Sequence, residues 1–125
     1  MILDTNALSA FADGAAGVGE VLRRQARAAV PVIVLGEFRY GFAQSRHRAD
    51  YEEWLEAQLS EFDILTVTEQ TAVTYAALRV SLKRSGRPIP ANDAWIAALA
   101  LQHRLPILSR AAHFDAVPGL ERKSW

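Results

Sequence analysis

The chain has 125 residues, half of them hydrophobic, and its 14 Lys and Arg residues balance its 14 Asp and Glu residues. This length suits one domain with a substantial core, and the composition excludes disorder. The neutral balance excludes a uniformly basic surface, so a polyanion would need a local cationic patch. Cysteine is absent, which excludes disulfides and thiolate metal sites. We therefore expect one cytoplasmic domain over residues 1–125, without a membrane span.

Four short apolar runs predict buried strands, and segments of helical character separate them. The runs are continuous rather than alternating, which is typical of parallel strands covered on both faces. The predicted strands are Met1–Leu3, Pro31–Leu35, Phe62–Val67 and Leu105–Leu108. The predicted helices are Ala7–Phe11, Val18–Ala29, Gly36–Ser45, Ala49–Ser60, Glu69–Ser85 and Asn92–His103. The alternation predicts a three-layer α/β/α fold around a central, mostly parallel sheet of four strands, or of five if Gly119–Trp125 adds one.

Capping residues indicate where the last two helices begin and end. Thr68 is a plausible N-cap, and Gly86 followed by Pro88 ends the same helix. Asn92 is the predicted N-cap of the next helix, which places Asp93 in its first turn. Asp93 then shares one face with the apolar residues Ile96, Ala97 and Ala100. Its carboxylate is therefore expected to point inward or into a cleft.

Three acids lie in apolar settings where an isolated charge is hard to explain. Asp4 follows the first predicted strand, Glu37 lies two residues past the second, and Asp93 faces an apolar stripe. The carboxyl ends of parallel strands form the edge where α/β sheets bind ligands. Three carboxylates at one edge repel each other unless a cation lies between them, and a divalent metal is the usual solution.

Each of these acids also has an ordinary structural interpretation. Asp4 is suited to cap a helix that begins near Asn6, because a carboxylate accepts backbone N–H bonds there. Glu37 and Asp93 are suited to the first turn of a helix, where the helix dipole favours negative charge. These alternatives stay open for each residue taken alone.

Other chemistries lack their sequence patterns. There is no Gly-x-Ser-x-Gly elbow, no cysteine or paired histidine for zinc, and no glycine-rich phosphate loop. An aspartyl phosphotransferase commonly needs a second acid two residues beyond Asp4, where the chain has Asn6. Metal-dependent hydrolysis with oxygen ligands survives this elimination best, and a small metal-dependent phosphohydrolase remains a distant alternative.

Three segments together resemble the PIN-domain nucleases, and among them the VapC-type toxins of prokaryotic toxin–antitoxin systems. They are Ile2–Asn6, Glu37 after the second predicted strand, and Ala91–Ala98. The stretch Leu105–Leu120 is similar to the ending of that subgroup. The resemblance implies a PIN-like fold and an endoribonuclease.

By the resemblance, Asp4, Glu37 and Asp93 would be catalytic and would hold Mg²⁺ or Mn²⁺, which activates water and stabilises charge on the phosphoryl group. Asn6 and Ser109 are candidates to orient a carboxylate or a water. The family usually carries a fourth acid at the position of Ala111, and Asp115 lies four residues beyond it as a weaker candidate. The departure at Ala111 implies a weakened nuclease, or an inactive domain that still binds antitoxin or RNA.

The resemblance also implies partners. Structured RNA would be the substrate, with Arg87 and Arg110 as candidates to contact its phosphates. A cognate antitoxin would neutralise the acidic cluster with a basic side chain, and the chain would form a homodimer.

Overall fold

Five short parallel strands form the sheet in a computed structural model that describes residues 1–125, in the order β3-β2-β1-β4-β5. The strands are β1 (Ile2–Leu3), β2 (Ala28–Pro31), β3 (Phe62–Leu65), β4 (Ile107–Leu108) and β5 (Arg122–Lys123). The flanking helices are α1 (Thr5–Ala12), α2 (Ala16–Arg23), α3 (Val32–Phe42), α4 (Arg48–Gln58), α5 (Glu69–Arg84) and α6 (Ala91–His103). This arrangement confirms the predicted three-layer α/β/α fold and its fifth strand near the end of the chain.

The central strand β1 marks the point where the strand order reverses. The chain adds β2 and β3 on one side of β1, then crosses back and adds β4 and β5 on the other. Ile2 pairs with Ala29 of β2 and with Ile107 of β4, all in parallel. Ligands of open α/β sheets bind beyond the carboxyl ends of the strands at such a reversal. The first residues beyond β1 and β4 are Asp4 and Ser109, so the fold itself places these two polar side chains at the ligand edge.

The predicted second strand is wrong in its position. The strand is Ala28–Pro31, and the predicted strand segment Pro31–Leu35 mostly forms the start of α3. The β-branched residues at the start of α3 lower helix propensity only slightly, whereas Val34, Phe38 and Phe42, spaced by four residues, bury one helical face. The predicted helix Val18–Ala29 is also too long, because the small residues at its end fit the buried strand β2.

Two of the predicted helix ends are confirmed and one is wrong. The backbone N–H of Thr68 donates to the hydroxyl of Thr71 (3.0 Å) at the start of α5, and Gly86 follows α5 with a left-handed φ of +70°. Helix α6 begins one residue earlier than predicted, with Pro90 as its cap, because the Pro90 carbonyl accepts the N–H of Ala94 (2.9 Å). None of the helices combines the length and apolar character needed to cross a bilayer.

An aromatic cluster fixes the orientation of α3 beneath the ligand edge. Phe38 packs edge-on against Phe42, Tyr51 and Trp54, with ring centroids 5.2, 6.0 and 6.0 Å away. Edge-to-face pairs of this kind stabilise packing by about 0.5–1.5 kcal/mol each beyond area burial. Because Phe38 directly follows Glu37 in α3, this packing also fixes the side of α3 from which Glu37 projects.

Replacing Thr71 with valine tests the junction between α5 and α6. The fully buried Thr71 hydroxyl donates to Gln102 Oε1 (2.6 Å) and accepts from the Thr68 N–H. Thr71→Val keeps the shape but leaves both partners unsatisfied, so we expect a loss of about 1–3 kcal/mol in the free energy of unfolding by urea denaturation.

The matched control is Thr74→Val on the same helix. The Thr74 hydroxyl donates only to the Gln70 carbonyl one turn earlier, so the change should stay within about 0.5 kcal/mol. Equal losses for the two variants would contradict a specific role for Thr71.

Candidate metal centre

Asp4 lies at the carboxyl end of β1, and its carboxylate is almost fully hydrogen-bonded. Only 4% of the residue is exposed. Its Oδ1 accepts the Thr5 N–H (2.8 Å), and its Oδ2 accepts the Ser109 hydroxyl (2.7 Å) and the Asn6 amide (3.0 Å). Asp4 is therefore the N-cap of α1, as its ordinary interpretation held, and it also faces the reversal between β1 and β4. The two roles use different oxygens of one carboxylate.

Asn6 and Ser109 form the support of this carboxylate. The Asn6 amide nitrogen lies 3.3 Å from the Ser109 hydroxyl oxygen as well as donating to Asp4. The side-chain oxygen of Asn6 (Oδ1) accepts a hydrogen bond from the backbone N–H of Arg110 (3.2 Å). The Ser109 hydroxyl accepts one from the backbone N–H of Ala111 (2.9 Å). The turn after β4 is thus tied to α1, and Asp4 Oδ2 has a fixed orientation.

Glu37 reaches the same edge from α3 through a residue that the sequence analysis did not single out. It is the sixth residue of α3, so the expectation that it follows a strand by two residues, in a first turn, is wrong. The Thr5 hydroxyl donates to Glu37 Oε1 (2.8 Å), while the Thr5 N–H binds Asp4. Thr5 therefore connects the two carboxylates through one residue.

Asp93 enters from the first turn of α6, as predicted, and lies in the field of the other two acids. Its side chain is only 20% exposed. Burial raises the pKa of Asp93, and the charges of Asp4 and Glu37 raise it further, whereas His113 opposes them. The His113 Nδ1 lies 3.9 Å from Asp93 Oδ2. The structure thus brings Asp4, Glu37 and Asp93 into one electrostatic neighbourhood.

The oxygen donors of the three carboxylates suit a hard divalent cation, although the three side chains do not lie close enough together to coordinate one ion. No group of three or more such side chains is close enough to hold an ion as the side chains stand. Burial raises the pKa of Asp93 most, and the charges of Asp4 and Glu37 add to it, so a cation at this place would favour the ionised carboxylates. Mg²⁺ commonly takes only one or two carboxylates and retains several waters. The residues therefore suit such an ion without forming a preorganised site for it.

The structure gives Ala111 and Asp115 different surroundings. Ala111 packs against the hydrophobic core, and its N–H is bound to Ser109. Asp115 forms a two-pronged ion pair with Arg122 of β5, with both N–O distances at 2.8 Å. Arg122 also donates to the Ser109 carbonyl (3.1 Å). Asp115 is therefore engaged in anchoring β5 beside the turn at Ser109.

Two predicted RNA-contact residues lie on the surface near this edge. Arg87 precedes α6 and is close enough to Asp115 to lower the pKa of that carboxyl. Arg110 directly follows Ser109, and both arginines are exposed. Arg110 adjoins the network around Asp4 through Asn6, whereas Arg87 lies near Asp115, and neither charge acts on the pKa of Asp93.

A cavity of about 260 Å³ adjoins the acids on the side of α1 and α3. Thr5 and Glu37 line its inner end, and Asp13 and Tyr51 line it further out. The Tyr51 hydroxyl donates to Asp13 Oδ1 (2.7 Å), and this bond raises the pKa of Tyr51, so the phenol keeps its proton. The cavity gives a ligand at the carboxyl edge room beside Glu37.

Sequence reasoning missed Thr5, His113 and Arg122 as parts of this centre. Thr5 lies inside the quoted segment Ile2–Asn6, so its adjacency to Asp4 was the available signal. His113 lies inside the stretch Leu105–Leu120 that resembles the subgroup, so that stretch was its available signal. Arg122 carries no local signal, because only the pairing of β5 with β4 brings it to the Ser109 carbonyl.

Similarity to known proteins agrees with the fold. The model of the PIN domain matches residues 1–120. The chain therefore belongs to the PIN-domain family.

Its relatives and structural neighbours confirm the resemblance to VapC-type proteins. Ribonuclease VapC5 of Mycobacterium tuberculosis is 35% identical over 96 residues, which cover 74% of this chain and 70% of that protein. Ribonuclease VapC2 of Rickettsia felis is 27% identical over 129 aligned positions, covering 99% of this chain and 96% of that protein.

Two solved complexes superimpose on nearly the whole chain. VapBC2 of Rickettsia felis, bound to a DNA fragment from its promoter, gives a TM-score of 0.88 at 25% identity, covering 99% of this chain and 97% of that one. FitAcB of Neisseria gonorrhoeae gives 0.86 at 30% identity, with coverages of 97% and 94%.

The ion pair of Asp115 predicts a pH dependence of stability. Hydrogen bonds from Arg122 hold the pKa of Asp115 below its ordinary value. A lowered folded-state pKa means that the pair stabilises the fold above the unfolded pKa and ceases to do so as the pH falls through the folded pKa. Asp115→Asn should therefore lower the melting temperature at neutral pH, and the difference from the wild type should shrink in acid. A pH-independent difference would show that the charge of Asp115 is not responsible.

Proposed function

We propose that this chain is a divalent-metal-dependent endoribonuclease of the VapC type, a single nuclease domain over residues 1–125 that cuts structured RNA. The observation that carries the proposal is the meeting of Asp4, Glu37 and Asp93 at the strand-order reversal of a PIN-domain sheet. The name ribonuclease, borne by a relative that is 35% identical, supports the same reaction class.

In this proposal Asp4, Glu37 and Asp93 hold Mg²⁺ or Mn²⁺. A divalent ion at this position supplies Lewis-acid chemistry, lowering the pKa of water and offsetting charge on the phosphodiester. Ser109 and Asn6 would orient Asp4, and Thr5 would orient Glu37, while the three carboxylates would draw closer together when the ion binds. Arg87 and Arg110 bind the RNA phosphates that flank the reacting one.

The partners follow from the same assignment. The solved neighbours include VapBC-5 of Mycobacterium tuberculosis, a member of the VapBC family of toxin–antitoxin systems. A cognate antitoxin would inhibit this chain by placing a basic side chain among the acids, where it competes with the metal. The functional unit would be a homodimer.

A second candidate is a PIN domain that binds antitoxin or RNA without cutting. The observation in its favour is Ala111, which places a methyl group where the family usually carries a fourth acid. Losing that carboxylate weakens the binding of a second metal ion more than the binding of the first. The two candidates differ in catalysis and agree on binding.

Asp93→Asn tests the nuclease assignment. The substitution keeps the shape but removes a charge from the proposed metal ligands, so Mg²⁺- or Mn²⁺-dependent cleavage of structured RNA should fall about 100-fold or more. EDTA should abolish wild-type cleavage. Asp63→Asn is the matched control, because Asp63 pairs with Arg27 near the start of β3, away from the carboxyl edge. Cleavage that survives Asp93→Asn would remove the assignment.

Ala111→Asp tests the missing acid. Restoring a carboxylate should increase Mn²⁺-dependent RNA cleavage and tighten Mn²⁺ binding, measured separately by calorimetry, because it adds an oxygen ligand. The control is Ala111→Asn, which has a similar shape without the charge. If neither cleavage nor Mn²⁺ affinity changes, position 111 is not the place of the fourth acid.

A further inference from the structure

The guanidinium of Arg110 is fixed by Trp125 rather than free in solvent. The Arg110 Cζ lies 4.4 Å from the centre of the Trp125 ring, in a cation–π arrangement. The Arg110 Nη2 also donates to the main-chain oxygen of Trp125 (3.0 Å). The backbone N–H of Arg110 donates to the side-chain oxygen of Asn6 (3.2 Å). Arg110 is thus held at both its main chain and its side chain, directly beside the network that orients Asp4.

Trp125 is itself held in place by the sheet and by α2. The Ser109 N–H donates to the carbonyl of Lys123 (2.9 Å), which keeps the end of β5 alongside the turn that carries Arg110. Gly17 of α2 faces the indole, because a Cβ at that position would lie 3.4 Å from Trp125 atoms. The half-buried Trp125 also packs against the hydrophobic core. The indole is therefore a firm surface on which the guanidinium lies.

Arg110 is not paired with an Asp or Glu side chain. The arginines that form ion pairs are Arg24, Arg27, Arg39, Arg48 and Arg122, and the remaining pairs involve Lys123 and His113. An aromatic face and a main-chain oxygen orient the guanidinium, and its Nε and Nη1 make no hydrogen bond. Arginine binds phosphate through a planar fork of N–H donors, and a fork that is already oriented loses less side-chain entropy on binding.

We propose that Trp125 is a positioning residue that presents Arg110 to a phosphate group of RNA bound at the Asp4 edge. The ligand, an RNA phosphodiester, rests on the proposed function, whereas the action of Trp125 through Arg110 rests on the contacts alone. Neither residue touches the carboxylates of the metal centre in this structure. The pair therefore acts on RNA affinity rather than on the chemical step.

A double-mutant cycle on the full chain tests this proposal. The affinity for a labelled, structured RNA is measured by fluorescence anisotropy in EDTA for the wild type, Arg110→Ala, Trp125→Ala and the double variant. Arg110→Ala should weaken binding about 10-fold and reduce the salt slope by about one ion. Trp125→Ala should weaken binding several-fold, and Trp125→Phe should restore most of it because the ring is kept.

The decisive result is the effect of Trp125→Ala in the Arg110→Ala background, where it should disappear. An effect of Trp125→Ala that persists there, or stronger RNA binding by Trp125→Ala alone, would overturn the proposal. Arg24→Ala is the charge control, because Arg24 follows α2 at the opposite edge of the sheet and pairs with Glu20. Absence of RNA binding by the wild type would also overturn it. Binding without metal-dependent cleavage would instead remove only the nuclease assignment.

Discussion

The hydrogen bond between the Ser109 hydroxyl and Asp4 Oδ2, 2.7 Å long and fully buried, joins the two halves of the sheet where the strand order reverses. β1 and β4 are only two residues long, so the backbone hydrogen bonds between them hold the two halves of the sheet together only weakly. A hydrogen bond to a charged acceptor is worth about 1.5–3 kcal/mol, and the same contact orients the carboxylate. Stability and the geometry of the acidic centre therefore depend on one side-chain pair.

The sequence predicted the fold class well because strand composition and helix spacing are local signals. Continuous apolar runs identified β1, β3 and β4, and Thr68 and Gly86 marked the limits of α5. The boundary between β2 and α3 could not be found in this way. The run Val32–Leu35 has β-branched residues typical of a strand, but the burial of Phe38 and Phe42 against α4 decides in favour of a helix.

Asp4 and Asp93 could be singled out from the sequence because each is an acid in an apolar pattern. Glu37 was chosen for the wrong local reason, since it lies inside α3 rather than just past a strand. The contacts that complete the centre, from Thr5 to Glu37 and from Ser109 to Asp4, join residues 32 and 105 positions apart. No local pattern encodes such pairings, because they arise from the strand order.

The separation between Asp4 and Ser109 also has a consequence for synthesis of the chain. The hydroxyl partner of Asp4, on the turn after strand β4, is made 105 residues later than Asp4 itself. A nascent chain that stops short of β4 has the acids but not their alignment. The acidic centre therefore assembles only after nearly all of this sequence has left the ribosome, which delays its maturation until the sheet can close.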